Sequence, residues 1–117
     1  SRRQLPCGQR RQSTMKYIID IDGTICNSSN SDYPNAVPML DRIQHFNMLF
    51  DQGHEVHYWT ARGGNSGIDW TELTTEQLSK WNVKHTSLKL GKPAYDIWID
   101  DKATNVETYF ENLTNRT

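Results

Sequence analysis

Two aspartates, Asp20 and Asp22, stand one residue apart where an apolar run ends, in YIIDIDGT at residues 17–24. A second apolar run, YDIWID at 95–100, also stops at acid, Asp100 followed by Asp101. Carboxylates packed together repel one another and lose hydration, so a site that collects several needs a cation to offset the cost. Magnesium suits the set: it takes hard oxygens, keeps several waters, and binds through one or two carboxylates plus a phosphate. A calcium loop of the EF-hand kind is excluded, because position twelve counted from Asp20 is Ser31 rather than glutamate.

A carboxylate is a competent nucleophile toward phosphorus, forming an aspartyl-phosphate that splits one hard displacement into two easier ones. Asp20 can take that part. Asp22, two residues on, lies on the same side of an extended chain, within reach to protonate a leaving oxygen and later to accept a proton from water. Gly23 lets the backbone turn tightly and bring amides near phosphate oxygens. The transferred group needs further donors, and Thr60 offers a hydroxyl while Lys92 offers an ammonium. Ala61, directly after Thr60, joins this phosphate-binding set. Arg62 is a candidate substrate contact, and Trp70 is the tryptophan placed to touch substrate.

Elements must bring these groups together. KYIID at 16–20 and the following Ile21 read as a buried parallel strand, and VPMLDRIQHFNMLFDQG at 37–53 as an amphipathic helix opened by Pro38. HEVHYWTAR at 54–62 reads as a second strand. DWTELTTEQLSKWNV at 69–83 has two overlapping helix-start signals, Asp69 with Glu72 and Thr74 with Gln77. HTSLKL at 85–90 and YDIWID at 95–100 supply two more strands, and ATNVETYFENL at 103–113 a last helix beginning near Lys102. Strands alternating with helices predict parallel βαβ units. Every unusual polar group then falls at the carboxyl end of a strand, where ligands gather in open sheets.

In their order, DIDGT, the threonine of YWTAR, the lysine of GKP and the acids of IDD resemble the four motifs of the haloacid dehalogenase superfamily, over residues 16–104. The resemblance implies an α/β fold, a Rossmann-like three-layer sandwich with a parallel sheet. It implies Asp20 as nucleophile, Asp22 as general acid and base, Thr60 and Lys92 as phosphate binders, and Asp100 as a magnesium ligand. In that family the nucleophile and the backbone carbonyl at the Asp22 position also hold the metal, and Asp101 would assist through water or by pairing with Lys92. Members often carry a cap domain in the gaps after the first or second motif. Those gaps are short here, so the chain reads as a capless, small phosphatase-like member, with selectivity left to short loops, a neighbouring subunit or a large substrate.

The 117 residues fit one domain, read as 15–117 and preceded by a leader, 1–14, with four arginines and no acid. That leader is expected to be disordered or vector-derived. Beyond it nine basic residues face fourteen acidic ones, a net of −5, which disfavours nucleic acid as a partner. No apolar run is long enough to span a bilayer, and Cys7 and Cys26 cannot build a disulfide framework. A cytoplasmic protein follows, with no membrane partner. The expected function is a magnesium-dependent phosphomonoester hydrolase acting on a small phosphorylated metabolite such as a sugar phosphate or nucleotide. The alternatives are a nucleic-acid end phosphatase or phosphotransferase, and a noncatalytic phosphate and magnesium-binding module.

Overall fold

The structure is a computed structural model and describes residues 14–29, 32–63, 68–93 and 95–115. Most of the arginine-rich leader lies outside the described residues, as do Ser31 and part of the loop after Gly63. The described chain is a small α/β fold. Its sheet has three parallel strands in the order β1 (Lys16–Ile19), β4 (Glu55–Trp59), β5 (Ser87–Lys89), and two short strands, β2 (Cys26–Asn27) and β3 (Val37–Pro38), pair antiparallel beside it. The helices are α1 (Leu40–Asp51), α2 (Thr71–Lys80) and α3 (Val106–Asn115). Among the described residues no helix is long and apolar enough to cross a membrane.

Parallel strands need a crossover. The first carries α1 from β1 to β4, and the second carries α2 from β4 to β5. Register sets Tyr17 against Val56 and Ile19 against Tyr58, and Tyr58 against Leu88, so these side chains share one face of the sheet. Ile43, Phe46 and Leu49 of α1 recur at helical spacing and are buried in the same core as Ile19, Val56, Tyr58 and Leu78. In turn, α3 packs on α1: Tyr109 Oη and His45 Nε2 lie 2.7 Å apart, and Arg42 pairs with Glu107 at 3.1 Å.

Three sequence expectations differ from the fold. Pro38 does not open α1: it pairs with Cys26 in the β2–β3 ribbon, and the Met39 amide bonds the Ile25 carbonyl, so the helix starts two residues later. The last helix starts at Val106 instead of near Lys102, where Asn105 Oδ1 accepts the Glu107 amide at 2.8 Å.

The third difference matters most. Residues 95–100 form no strand, and Ile97 and Ile99 are exposed. The opposite face of the sheet carries Ile18, His57 and Trp59, and among the described residues no helix covers it; Trp98 meets Trp59 there. The three-layer arrangement is therefore two-layered as described. Tyr95 and Trp98 fold their rings toward Lys92 Nζ, 5.2 Å from each centroid, a cation–π arrangement that holds the segment back over this face rather than alongside β1.

Candidate active site

At the end of β1 the backbone leaves the sheet and closes on itself. Ile25 and Thr24 donate their amides to the Ile21 carbonyl, and the Gly23 amide donates to the Cys26 carbonyl at 2.8 Å. Gly23 sits at φ +84°, which makes this turn possible without strain. Its amide, expected to face phosphate, is thus spent within the turn. The turn fixes Asp20 and Asp22 at the carboxyl end of β1.

Asp20 is half-buried. One carboxylate oxygen accepts the Ile21 amide at 2.9 Å, and the other accepts no hydrogen bond among the described residues. Burial raises its pKa, and the positive charge of Lys92 opposes that rise. An oxygen left free, partly desolvated and under the charge of an ammonium is suited to attack an electrophile that brings its own negative charge.

Asp22 has no such freedom. Oδ2 accepts Arg62 Nε at 2.9 Å, while Oδ1 accepts Arg62 Nη2 at 2.8 Å and the Ser28 hydroxyl at 3.0 Å. Burial pushes its pKa upward, but the Arg62 hydrogen bonds and charge, with Ser28 and Cys26, outweigh it and hold the carboxyl below the usual range. Ionised Asp22 accepts protons, so this geometry serves the base half of its expected role directly. Donating a proton requires the Arg62 contact to be exchanged.

Arg62 was a candidate substrate contact. It is fully buried instead, and its planar fork is committed inward. The neighbouring Cys26 thiol is pushed up to about 12 by burial and by Asp22, so it remains a protonated packing group.

Thr60 and Lys92 join this end of the sheet through backbone geometry. Thr60 directly follows β4; its amide bonds the Lys89 carbonyl and its carbonyl accepts the Lys92 amide, each at 2.9 Å. The Thr60 side chain is sealed from solvent and its hydroxyl accepts the Arg62 amide at 3.2 Å. Ala61 is exposed, and its amide makes no hydrogen bond among the described residues, which leaves it available to an anion. Trp70 lines a cavity of about 300 Å³ with Ile68, Leu90 and Gly91 beside Arg62. A larger one, about 610 Å³, lies between Pro34, Ala36 and α2, with none of the expected site residues on its wall.

Asp100 and Asp101 are not brought to Asp20. Asp100 Oδ1 accepts the Lys102 amide at 2.7 Å, and that bond with the Asp101 contact lowers its pKa. Among the described residues no group of three or more His, Cys, Asp or Glu side chains gathers as a metal site. The donors that do fit a hard cation are the free Asp20 oxygen and the Asp22 backbone carbonyl, which accepts no hydrogen bond among the described residues. They fit an ion that keeps most of its water, without a ligand from Asp100.

Sequence reasoning missed Thr74, Gln77 and Tyr33. Thr74 with Gln77 reads as a helix-start pair, yet both are buried inside α2 and turned to Arg62. Their polar character at buried positions of an otherwise amphipathic helix is the signal that points inward.

No protein-family model matches the chain, and no curated protein matches it. Among solved structures, the crystal structure of a structural-genomics target from Vibrio cholerae is 31% identical. The match covers 87% of this chain and 95% of that one, with a TM-score of 0.72.

Proposed function

We propose that this chain, which belongs to one family with the Vibrio cholerae protein, is a phosphomonoester hydrolase of the haloacid dehalogenase type with Asp20 as its nucleophile. The observation that carries the reading is Asp20 itself: a half-buried carboxylate at a strand end with one unpartnered oxygen, under the influence of Lys92. The free Ala61 amide just past β4 supports it.

In the reaction an Asp20 oxygen bonds phosphorus while the bond from phosphorus to the leaving oxygen breaks, and that oxygen takes up a proton. Water then attacks the aspartyl-phosphate. Asp22 accepts a proton from the water, the acyl-phosphate bond breaks on the phosphorus side, and inorganic phosphate leaves with Asp20 restored. Lys92 and the Ala61 amide hold the phosphoryl oxygens. Magnesium, held by Asp20 and the Asp22 carbonyl, would supply neutralising charge to the phosphate.

The test is phosphate release from aryl phosphates and from a panel of sugar phosphates and nucleotides with magnesium present. Activity is expected in the wild type and absent in Asp20→Asn; undiminished release by that variant would falsify the assignment. The hold of Arg62 on Asp22 favours a second reading, a noncatalytic module that binds phosphate with magnesium. Inertness across the panel together with saturable binding of inorganic phosphate would select it.

A further inference from the structure

Arg62 is an arginine whose five N–H groups all have partners, and the pattern of those partners is informative. Nε and one Nη2 proton bond the two oxygens of Asp22, at 2.9 and 2.8 Å. The other Nη2 proton faces the Cys26 sulfur at 3.9 Å. Nη1 bonds Thr74 Oγ1 at 3.1 Å and Gln77 Oε1 at 2.6 Å. Gln77 is itself oriented, since its Nε2 donates to the Tyr33 carbonyl at 2.6 Å, and the Tyr33 ring lies 4.6 Å from the guanidinium carbon. No donor is left for a phosphate, and the side chain is wholly buried.

We infer that Arg62 is a positioning residue for Asp22, a clamp braced by Thr74 and Gln77 of α2 and by Tyr33, that sets where the base stands relative to the Asp20 phosphoenzyme. The inference rests on the phosphatase reading for its catalytic meaning. The geometry argues for position as well as charge. A lone positive charge near Asp22 would keep it ionised in any rotamer, whereas a planar fork bonded to both oxygens fixes the carboxylate's plane. The bracing matters for the same reason: a guanidinium held on its far side by two α2 side chains cannot follow Asp22 if the carboxylate swings. Base catalysis needs the acceptor within about 3 Å of the attacking water, so a clamp on the carboxylate is a clamp on the second step.

The test replaces the fork and keeps the charge. In full-length Arg62→Lys the ammonium can still pair with Asp22 but cannot bond both oxygens and both α2 acceptors. The expected result is a kcat lowered by about tenfold to a hundredfold, with KM within about twofold. Because only the second step is slowed, acid-quenched aspartyl-phosphate should accumulate on the enzyme above the wild-type level. Gln77→Leu, which loosens the brace and leaves Arg62 and Asp22 in place, should show the same accumulation more weakly.

A merely structural role predicts something else: lower thermal stability, but unchanged kcat and no accumulation in the folded protein. That result would overturn the inference. Crystal structures of wild type and Arg62→Lys supply the readout independent of activity, with the Asp22 carboxylate expected to turn away from its wild-type plane. An unmoved carboxylate would equally count against the clamp. If the wild type releases no phosphate from any substrate, the phosphatase reading fails, and carboxylate position alone then judges the clamp.

Discussion

Trp98 meets Trp59 edge to face, ring centroids 6.2 Å apart and planes at 83°. Through that contact the segment before α3 rests on the face of the sheet opposite the core, and among the described residues the outer edge of β1 is unpaired. The pairing pattern says which groups are left. Glu55 donates to the Met15 carbonyl and Thr86 to the Val56 carbonyl, so Tyr17 and Ile19 point their backbone groups at β4 while Lys16 and Ile18 point theirs outward. Ile18 is also exposed at 58%.

Amide exchange should therefore alternate along β1. Tyr17 and Ile19 are expected to exchange slowly, and Lys16 and Ile18 faster by an order of magnitude or more (about tenfold at least). Residue-resolved hydrogen exchange by NMR reads this directly. If the Ile18 amide proves as slow as Ile19, another strand covers that edge in solution, and residues 95–100 would be the first to examine.

The paired charges of Arg62 and Asp22 set an acid limit on stability. Arg62 is fully buried, so losing its partner leaves a desolvated charge uncompensated. Asp22→Asn is expected to cost on the order of 3 kcal/mol in chemical denaturation. The pH dependence follows from the direction of the shift. The folded pKa of Asp22 lies below the ordinary 3.8, so its contribution is complete above 3.8 and disappears as pH falls through the lowered value. Asp20 has the opposite sign: its folded pKa is raised, so its contribution is complete below 3.8 and is lost as pH climbs through that raised value. Melting curves between pH 3 and pH 6 (about that span) should fall on the acid side in wild type and be flatter there in Asp22→Asn. Parallel curves would show that the pair carries no linked proton.

Much of the frame was legible in the sequence, for physical reasons that vary by element. Strand β1 showed in its Ile-rich run, and α1 in the spacing of Ile43, Phe46 and Leu49. Both are local patterns imposed by burial on one face. The turn that carries Asp20 and Asp22 was legible in the same way. Residues 95–100 have the composition of a strand, but a strand also needs a partner, and here the rings of Tyr95 and Trp98 go to Lys92 and Trp59. Propensity gave way to tertiary contact. Arg62 was legible as a charged residue beside Thr60 and not as a buried one, because its partners lie 40 residues back at Asp22 and 15 residues ahead at Gln77. No local pattern encodes a bond of that range.

The loop that follows Arg62 depends on glycine at one position more than at another of similar backbone shape. Gly63 and Gly91 have φ of +80° and +79°, a region that side chains enter at a cost. A Cβ at Gly63 would come within 3.0 Å of the Ile68 carbonyl oxygen, whereas at Gly91 it would meet nothing within 4 Å. Gly91→Ala is expected to lose about 1 kcal/mol from backbone strain alone, and Gly63→Ala to lose more, with the difference measuring the clash. Urea unfolding of the two variants side by side makes the comparison. Equal losses would mean that the Ile68 carbonyl moves aside freely.

The last expectation rests on the proposed phosphatase reading and concerns the leaving group. With both oxygens bonded to Arg62, Asp22 is ionised and has no proton to give. A phenolate departs without one, but an alkoxide does not, so the first step should favour aryl over alkyl phosphates strongly. Loss of the base in Asp22→Asn falls on the second step, hydrolysis of an aspartyl-phosphate that is the same whatever group has left. The aryl substrate, whose first step is fast, should lose rate by about a hundredfold or more, and the alkyl substrate, limited by its first step, should lose less. Steady-state rates for p-nitrophenyl phosphate and a simple alkyl phosphate, in wild type and Asp22→Asn, decide the matter. A much greater loss on the alkyl substrate would show that Asp22 leaves Arg62 during the first step and returns to it afterwards, which would make the Arg62 contact a resting position rather than the working one.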